Sequence, residues 1–552
     1  MSKISKEVKK KETTKKDKPV VNFMDGISFE MDPITTLKMV AASSIFGEPQ
    51  YYRDGMKQKA YLRREAPSWI RDELLLIPEE DSSAYMEKII DDALDCDFGA
   101  VLEAAKSMRN DFNMRLNPQI IMVRAAMHPK RSEFNQANPG VFAEVQKEVM
   151  KRADEPASQL AYWLYKKESK NSIPSILKRT WADKLSSLSR YQVAKYKNSE
   201  VGMIDTVRIC HASSPVLDEL MKNGTVEVEE NEQTWENMRS AGKSWEEILT
   251  TIPFGHMWVL RNLRNIAKGL SSDCPTHVEL MEKTLKQLVD TVENGKQFPF
   301  RYYTAYKMIK REDDLDFQVK IMEALEECLQ KSLNNLPFLT GKTMVLSDNS
   351  GSAWGTLNSE YGTVKVAEIG NLSAVLTAMR SDEGYVGVFG DRLTVVPIKK
   401  NSSILDNLEK VNEAGQHVGG GTETGIWLFF DEAIDKNQHW DNIFIYSDMQ
   451  AGYGQLYCTH SEGDRYKKAC KKYSVDSKTD GEYVDVMALL NYYRSHIYRD
   501  VDVFTIQTAG YNNNVLPQHA YRTSILYGWT GKEVLFADTI KKIWNSKTKD
   551  EK

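Results

Sequence analysis

The segment MVLSDNSGSAWG, residues 344–355, ends an apolar run in Asp348 and then carries hydroxyls at alternate positions, Ser350 and Ser352. Carboxylate and hydroxyl oxygens are hard ligands. They suit Mg²⁺, which takes octahedral oxygen ligation at roughly 2.0–2.1 Å and usually keeps waters. One loop supplies too few ligands, so others must come from elsewhere in the chain. Two stand at suitable places. Thr422 lies in the glycine-rich turn GGGTETG (419–425), ahead of an apolar, helix-like run, and Asp448 closes NIFIYSD. The competing reading makes Asp348 a helix cap and the serines turn formers. A formed metal site could also serve stability alone.

Such ligands need strand ends to position them. From about Thr340 the chain shows short β-rich apolar runs: KTMVLSDNS, GYVGVFGD, LTVVPI, NIFIYSD, VDVFTIQTA and EVLFAD. Stretches with helical rhythm separate several of them, such as EIGNLSAVLTAMRS and DVMALLNYYRSH. Near-continuous apolar strands alternating with helices predict a mostly parallel sheet covered on both faces. Ligands of such sheets bind beyond the carboxyl ends of the strands, where Asp348 and Asp448 fall. Alternate residues of an extended loop would then turn Ser350 and Ser352 the same way.

Asp348, Ser350, Ser352, Thr422 and Asp448, in this order, resemble the metal-ion-dependent adhesion site of von Willebrand factor A domains. The resemblance covers residues from about 340 to 545 and implies a doubly wound, Rossmann-like domain. It also implies a divalent cation, Mg²⁺, that can leave a coordination position for an acidic group of a partner. No nucleophile–base pair accompanies the cluster. Haloacid-dehalogenase-type phosphoryl chemistry would want a second Asp two residues after Asp348, where Ser350 stands. The site is therefore read as non-enzymatic.

At 552 residues the chain has room for two or more domains. Hydrophobic residues at 41% and charged residues at 27% are ordinary for a soluble globular protein. No stretch approaches the ~18 apolar residues of a membrane span. Residues 1–28 begin with a lysine-rich segment without an apolar core behind it, which reads as a disordered basic tail and not as a secretory signal. Residues 547–552 read as a second charged tail. Six cysteines lie scattered, with no C-x-x-C and no zinc spacing, which suits a reducing cytosol. The net charge of −5 excludes a uniformly basic nucleic-acid coat, yet residues 147–211 hold 13 Lys and Arg against 7 Asp and Glu. That strip could attract phosphates or simply be a solvated helix face.

The first ~335 residues carry apolar positions at spacings of three and four, as in SAYMEKIIDDALDCDFGAVLEAAKSMRNDF, GVFAEVQKEVMKRA and HVELMEKTLKQLVDTVEN. Breakers at Asn117-Pro118, Asn138-Pro139, Ile173-Pro174 and Ser214-Pro215 divide them. Many unequal helical hairpins predict a degenerate, HEAT-type array. Three segments go further: SRYQVAKYKNSEVGMIDTVRICHASSP (189–215), IPFGHMWVLRNLRNIAKGL (252–270) and FPFRYYTAYKMIK (298–310). Their order, ahead of an A domain, resembles the Ro autoantigen family and its TROVE domain. The resemblance assigns residues 29–338 to a helical-repeat ring and 339–546 to the A domain that joins its ends.

What the resemblance implies is an RNA-binding ring. Small noncoding Y or Y-like RNAs would bind its outer surface, and single-stranded ends of misfolded structured RNAs would enter it, for RNA quality control or processing. An exoribonuclease such as polynucleotide phosphorylase would be a partner, and the ring would be monomeric, cytoplasmic and not bound to a membrane. Lys195 and His211 stand near the family's RNA-contacting Lys and His, with a spacing one residue shorter, and Ser199 replaces a basic residue. Lys197 and Arg208 fall in the same strip, and Lys178 and Arg179 in SILKRTW extend it. These residues could equally be helix solubilisers, an ion-pair partner and a structural histidine. Arg261 and Arg264, at i,i+3 in LRNLRN, either line a channel or pair with acids, while Trp258, Leu260 and Leu263 are candidate core. RYYTAYK (301–307) could stack bases, but aromatics at helical spacing suit a core better. An alternative function is a metal-dependent protein-interaction scaffold whose A domain grips a partner's carboxylate.

Overall fold

The computed structural model describes residues 19–21, 27–43, 82–112, 114–167, 172–197, 201–229, 233–295, 297, 299–355, 365–420, 425–449, 486–508, 513–517, 520–526 and 533–550. Among them, helices dominate from Pro33 to Ser332, and the breakers seen in the sequence stand at their starts. Pro118 occupies the first turn of helix Asn117–Met127, and Ser214 caps helix Pro215–Asn223 through a bond from the Leu217 amide. Pro174 precedes helix Ser175–Ser186. Proline suits these places because its missing N–H is not needed there. Asp97 divides one stretch that reads as continuous in the sequence. It adopts extended backbone, and its carboxylate caps the Ala100 amide, so Ser82–Cys96 ends and Phe98–Asn110 begins.

The sheet domain is built on six strands: β3 (Leu339–Asp348), β4 (Ser381–Phe389), β5 (Leu393–Pro397), β6 (Asn442–Ser447), β7 (Asp502–Gln507) and β9 (Thr523–Leu526). Their order is β5-β4-β3-β6-β7-β9, and every neighbour pair is parallel except the β4–β5 edge. Successive residues face opposite layers. Val345, Phe444 and Phe504 enter one core, and Met344, Leu346, Ile443, Ile445 and Val503 enter the other. Both faces are covered, which explains the uninterrupted apolar strands.

EVLFAD is not a strand. It opens helix Glu533–Asp550, and the last strand is β9. Val534 and Ala537 are buried at helical spacing, with Ile540 and Trp544 packed behind them. Six residues were too few to separate the two periodicities. Residues 19–21, expected in the basic tail, form β1 (Pro19–Val21). It pairs with β2 (Ile27–Glu30), and β2 pairs with β8 (Asn513–Asn514) beside the main sheet. The partner that orders this hairpin lies almost 500 residues away, roughly the whole chain, and local composition cannot reveal it. Residues 1–18 and 551–552 lie outside the described residues, and helix Glu533–Asp550 runs into the expected charged tail.

The helices form two consecutive cores. The first runs from Leu37 to Val226, with Phe142, Tyr162 and Trp181 fully buried. The second starts at Met238 and continues without a break under one face of the sheet. Both ends of the array dock on the sheet domain. At one end, Ser28 Oγ donates to the Asn514 carbonyl at 2.9 Å, and Phe112 stacks on Phe536 at 5.3 Å. At the other, Lys307 pairs with Glu368 and the Tyr303 hydroxyl reaches the same carboxylate at 3.5 Å. The helical array thus meets the sheet domain at both of its ends, the arrangement of a helical ring joined by an A domain.

Candidate metal centre and nucleic-acid interface

β3 delivers Asp348 to the carboxyl edge of the sheet, 5% exposed. The chain then takes a bend and a short helix, Gly351–Gly355, and not the extended loop expected. The hydroxyls still converge. Ser350 Oγ lies 3.1 Å from Ser352 Oγ, and Ser352 Oγ donates to Asp448 Oδ2 at 3.1 Å. Asp348 Oδ1 accepts from the Ser350 amide at 2.9 Å, and Oδ2 accepts from Ser447 Oγ at 2.8 Å. Four of the five expected ligands, Asp348, Ser350, Ser352 and Asp448, thus share one hydrogen-bonded cluster. Thr422 lies outside the described residues. The glycine turn before it reaches the cluster, since the Gly351 amide donates to the Gly420 carbonyl at 2.8 Å.

Burial pushes the Asp348 carboxyl above its usual range, against bonds from Ser350 and Ser447 that lower it. Two carboxylates and two hydroxyls in a small, mostly buried cluster fit a hard divalent cation, whose charge would offset that burial. Among the described residues no group of three or more His, Cys, Asp or Glu side chains is placed to hold a metal ion.

The residues that hold this loop escape a reading based on ligands alone. Asn349 and Asn371 exchange side-chain amide bonds, both at 2.9 Å. Asn371 also accepts from Ser347 Oγ at 2.8 Å and donates to Asn412 at 2.9 Å. The Asn349 amide donates to the Phe389 carbonyl at 2.7 Å, tying the loop to β4. Gln507 Nε2 donates to the Asp448 carbonyl at 2.8 Å from β7. The available signal was polarity in the wrong place: Asn371 is fully buried in helix Val366–Met379, all of whose residues are buried.

The basic strip folds into neighbouring helices. Several of its cations are neutralised: Lys147 by Asp183, Arg152 by Asp154, Lys166 by Glu87 and Arg190 by Glu219. Lys178, Arg179, Lys195 and Lys197 have no such acidic partner among the described residues. Lys195 is exposed on helix Arg190–Tyr196, with its ammonium 5.5 Å from the Tyr191 ring centre and 5.7 Å from that of Tyr196. Lys197 donates to Thr225 Oγ1 at 2.9 Å. Lys178 is half-buried near Cys210 and Arg179 is exposed, both on helix Ser175–Ser186. Arg208 makes a loose pair with Asp205 at 3.8 Å. His211 is exposed and caps helix Met203–Cys210 in left-handed backbone, φ 58°. Ser199 lies outside the described residues.

Arg261 and Arg264 sit exposed on helix His256–Gly269. Arg264 pairs with Glu312 at 3.2 Å, and Lys268 pairs with the same carboxylate at 2.6 Å. Leu260 and Leu263 are buried, and Trp258 packs half-buried against them. In RYYTAYK, Tyr302 and Tyr303 are buried, Tyr302 meeting His256 Nε2 at 2.7 Å, so this segment belongs to the core. Cys96, Cys210, Cys274 and Cys328 are free thiols. Among the described residues no helix is long and apolar enough to cross a membrane.

No protein-family model and no curated protein sequence matches this chain. The fold does have a solved counterpart. The crystal structure of the Ro (RSR) protein of Deinococcus radiodurans superposes with a TM-score of 0.55 over 87% of this chain and 99% of that one, at 12% sequence identity.

Proposed function

We propose that this protein, folded as a Ro-type ring, is an RNA-binding scaffold. It takes small noncoding RNA of the Y or Y-like class on the surface formed by Lys178, Arg179, Lys195, Lys197, Arg208 and His211. Single-stranded ends of misfolded structured RNAs engage the ring near Arg261 and Arg264. The A domain holds Mg²⁺ through Asp348, Ser350, Ser352, Thr422 and Asp448 as a structural or docking ion, not for catalysis. When bound, the ion supplies a positive centre able to accept a further oxygen ligand. An exoribonuclease such as polynucleotide phosphorylase is the proposed protein partner of a monomeric, cytoplasmic ring.

One observation carries this reading. Within a strip where most acids are already matched to cations, Lys178, Arg179, Lys195 and Lys197 keep their charge uncompensated, with Tyr191 and Tyr196 beside Lys195. RNA surfaces combine cations for phosphates with aromatic faces for unpaired bases. The test is native purification with sequencing of the accompanying RNA, then a salt titration of that RNA on wild type and on the doubly substituted Lys195→Glu/His211→Glu protein. The variant should bind more weakly and with a shallower salt slope, by about 0.7–0.9 for each phosphate no longer neutralised. Unchanged affinity across the titration would sink the site.

A further inference from the structure

Helices Trp235–Ser240, Trp245–Thr251 and His256–Gly269 enclose an open cavity of about 450 Å³ on the second helical core. Trp235 and Trp245 supply its aromatic lining. The Trp235 and Trp245 rings stack with centres 5.8 Å apart and planes 23° apart, and Trp258 buttresses both from behind at 6.4 and 6.1 Å. Trp245 is buried, while Trp235 is half-buried. Gly269 makes the packing possible, because a Cβ there would lie 2.1 Å from Trp245 Cδ1.

The rim is cationic and polar. The Arg239 guanidinium sits over the Trp245 ring at 5.3 Å, and its Nη1 donates to the Lys243 carbonyl at 2.7 Å. It has no acidic partner among the described residues. Lys268, though paired with Glu312, lines the same cavity, and so does the exposed amide of Asn265.

We propose that this cavity is a binding site for a single nucleotide. The base lies against Trp235, the phosphate meets Arg239 and Lys268, and Asn265 reads the base edge. The chemistry narrows the ligand class. A quaternary or primary amine would be drawn to the indoles but repelled by two cations. A bare phosphate would leave the indoles without a role. A flat π-system carrying negative charge satisfies both parts, and the volume lies in the range of small-molecule sites. A side-chain amide can make two bonds to adenine, so an adenine nucleotide is the first probe. The nucleotide can be free or can be one unpaired residue of a strand. The site lies on other helices than the Lys195 surface and stands independently of it, but it shares helix His256–Gly269 with Arg261 and Arg264, so its strand form rests on the proposed engagement of single-stranded RNA there.

The test uses the full-length protein, with AMP followed by calorimetry and a fluorescein-labelled hexaadenylate followed by anisotropy. Wild type is compared with Arg239→Gln, Trp235→Ala and the Lys195→Glu/His211→Glu variant. Wild type should bind the hexamer, and Trp235→Ala should weaken it about tenfold or more, the scale of one base–aromatic stack. Arg239→Gln, an exposed change that leaves the packing intact, should weaken it comparably, with the Lys195→Glu/His211→Glu variant unaffected. AMP binding with the same mutational pattern assigns a free-nucleotide site; hexamer binding alone assigns a strand site. The proposal is overturned if wild type binds neither probe, or if Arg239→Gln binds both as wild type does. It is also overturned if hexamer binding falls only in the Lys195→Glu/His211→Glu variant, a result that would leave the RNA surface standing. Loss of the hexamer in Arg239→Gln with the Lys195 surface inert to RNA does the reverse.

Discussion

Replacing Asn371 by alanine isolates the device that holds the oxygen cluster. Its amide is fully buried and serves three partners: Asn349, Ser347 and Asn412. Asn412 is half-exposed and can turn to water. The Asn349 carbonyl oxygen and the Ser347 hydroxyl are buried and would be stranded. Each stranded buried group costs about 1–3 kcal/mol, so two cost about 2–6 kcal/mol. Alanine returns roughly 0.5 kcal/mol in helix propensity, and a water entering the gap would recover part of the rest. The net destabilisation is then about 2–5 kcal/mol. Because a chain of this size does not unfold in one step, the assay is native-state hydrogen exchange of the β3 amides at 344–348, which reads local opening. Asn412→Ala is the control and should cost under about 1 kcal/mol. If Asn371→Ala leaves β3 protection within about 0.5 kcal/mol of wild type, or matches Asn412→Ala, the amide network is not what holds the loop.

Glu368→Gln should loosen the second helical core from the sheet domain by roughly 3 kcal/mol, because it strands the mostly buried Lys307 ammonium. Glu368→Ala should cost about 1 kcal/mol more, since it also removes the acceptor for the Lys365 amide; limited proteolysis between the two units reads the difference. Mg²⁺ at a hundredfold its dissociation constant should stabilise the A domain by about 2.7 kcal/mol, and EDTA or Asp348→Ala should abolish the thermal shift. A shift that survives Asp348→Ala would place the ion elsewhere. His256 is buried between Thr291 and Tyr302, and burial holds its imidazole below its usual range. The unfolded chain therefore takes up a proton that the fold refuses. Stability should be insensitive to this group above the ordinary histidine value of about 6.5 and should fall as pH drops below it. His256→Gln should flatten that acid limb in thermal melts relative to wild type.

The parallel sheet was legible because its strands are apolar on both faces, and Asp348, Ser350, Ser352 and Asp448 because they stand where strands end. Helix boundaries were legible at Pro118, Pro174 and Ser214, where chain chemistry is local. Three things were not. EVLFAD is a helix because of what Phe536, Ile540 and Trp544 pack against, much of it distant in sequence, Phe112 above all. β1 and β2 depend on β8 at the far end of the chain. The aromatic cavity takes its shape from residues spread over three helices, with Trp235 and Gly269 more than thirty positions apart in the sequence. Side chains placed by local chain chemistry or by the end of an apolar strand announced themselves; those whose setting is packing across the fold did not.

The two seams between the helical array and the sheet domain differ in kind. Where the second core meets the sheet, the backbone itself runs through the junction, and Arg380 clasps the Leu336 carbonyl at 2.6 Å. Where the first core meets it, the contacts that close the gap among the described residues are non-covalent, the Ser28–Asn514 bond and the Phe112–Phe536 stack among them. The protein is a hoop with one welded joint and one latch. Undoing it would part the first core from the sheet domain and leave the Asp348 cluster and its sheet in place.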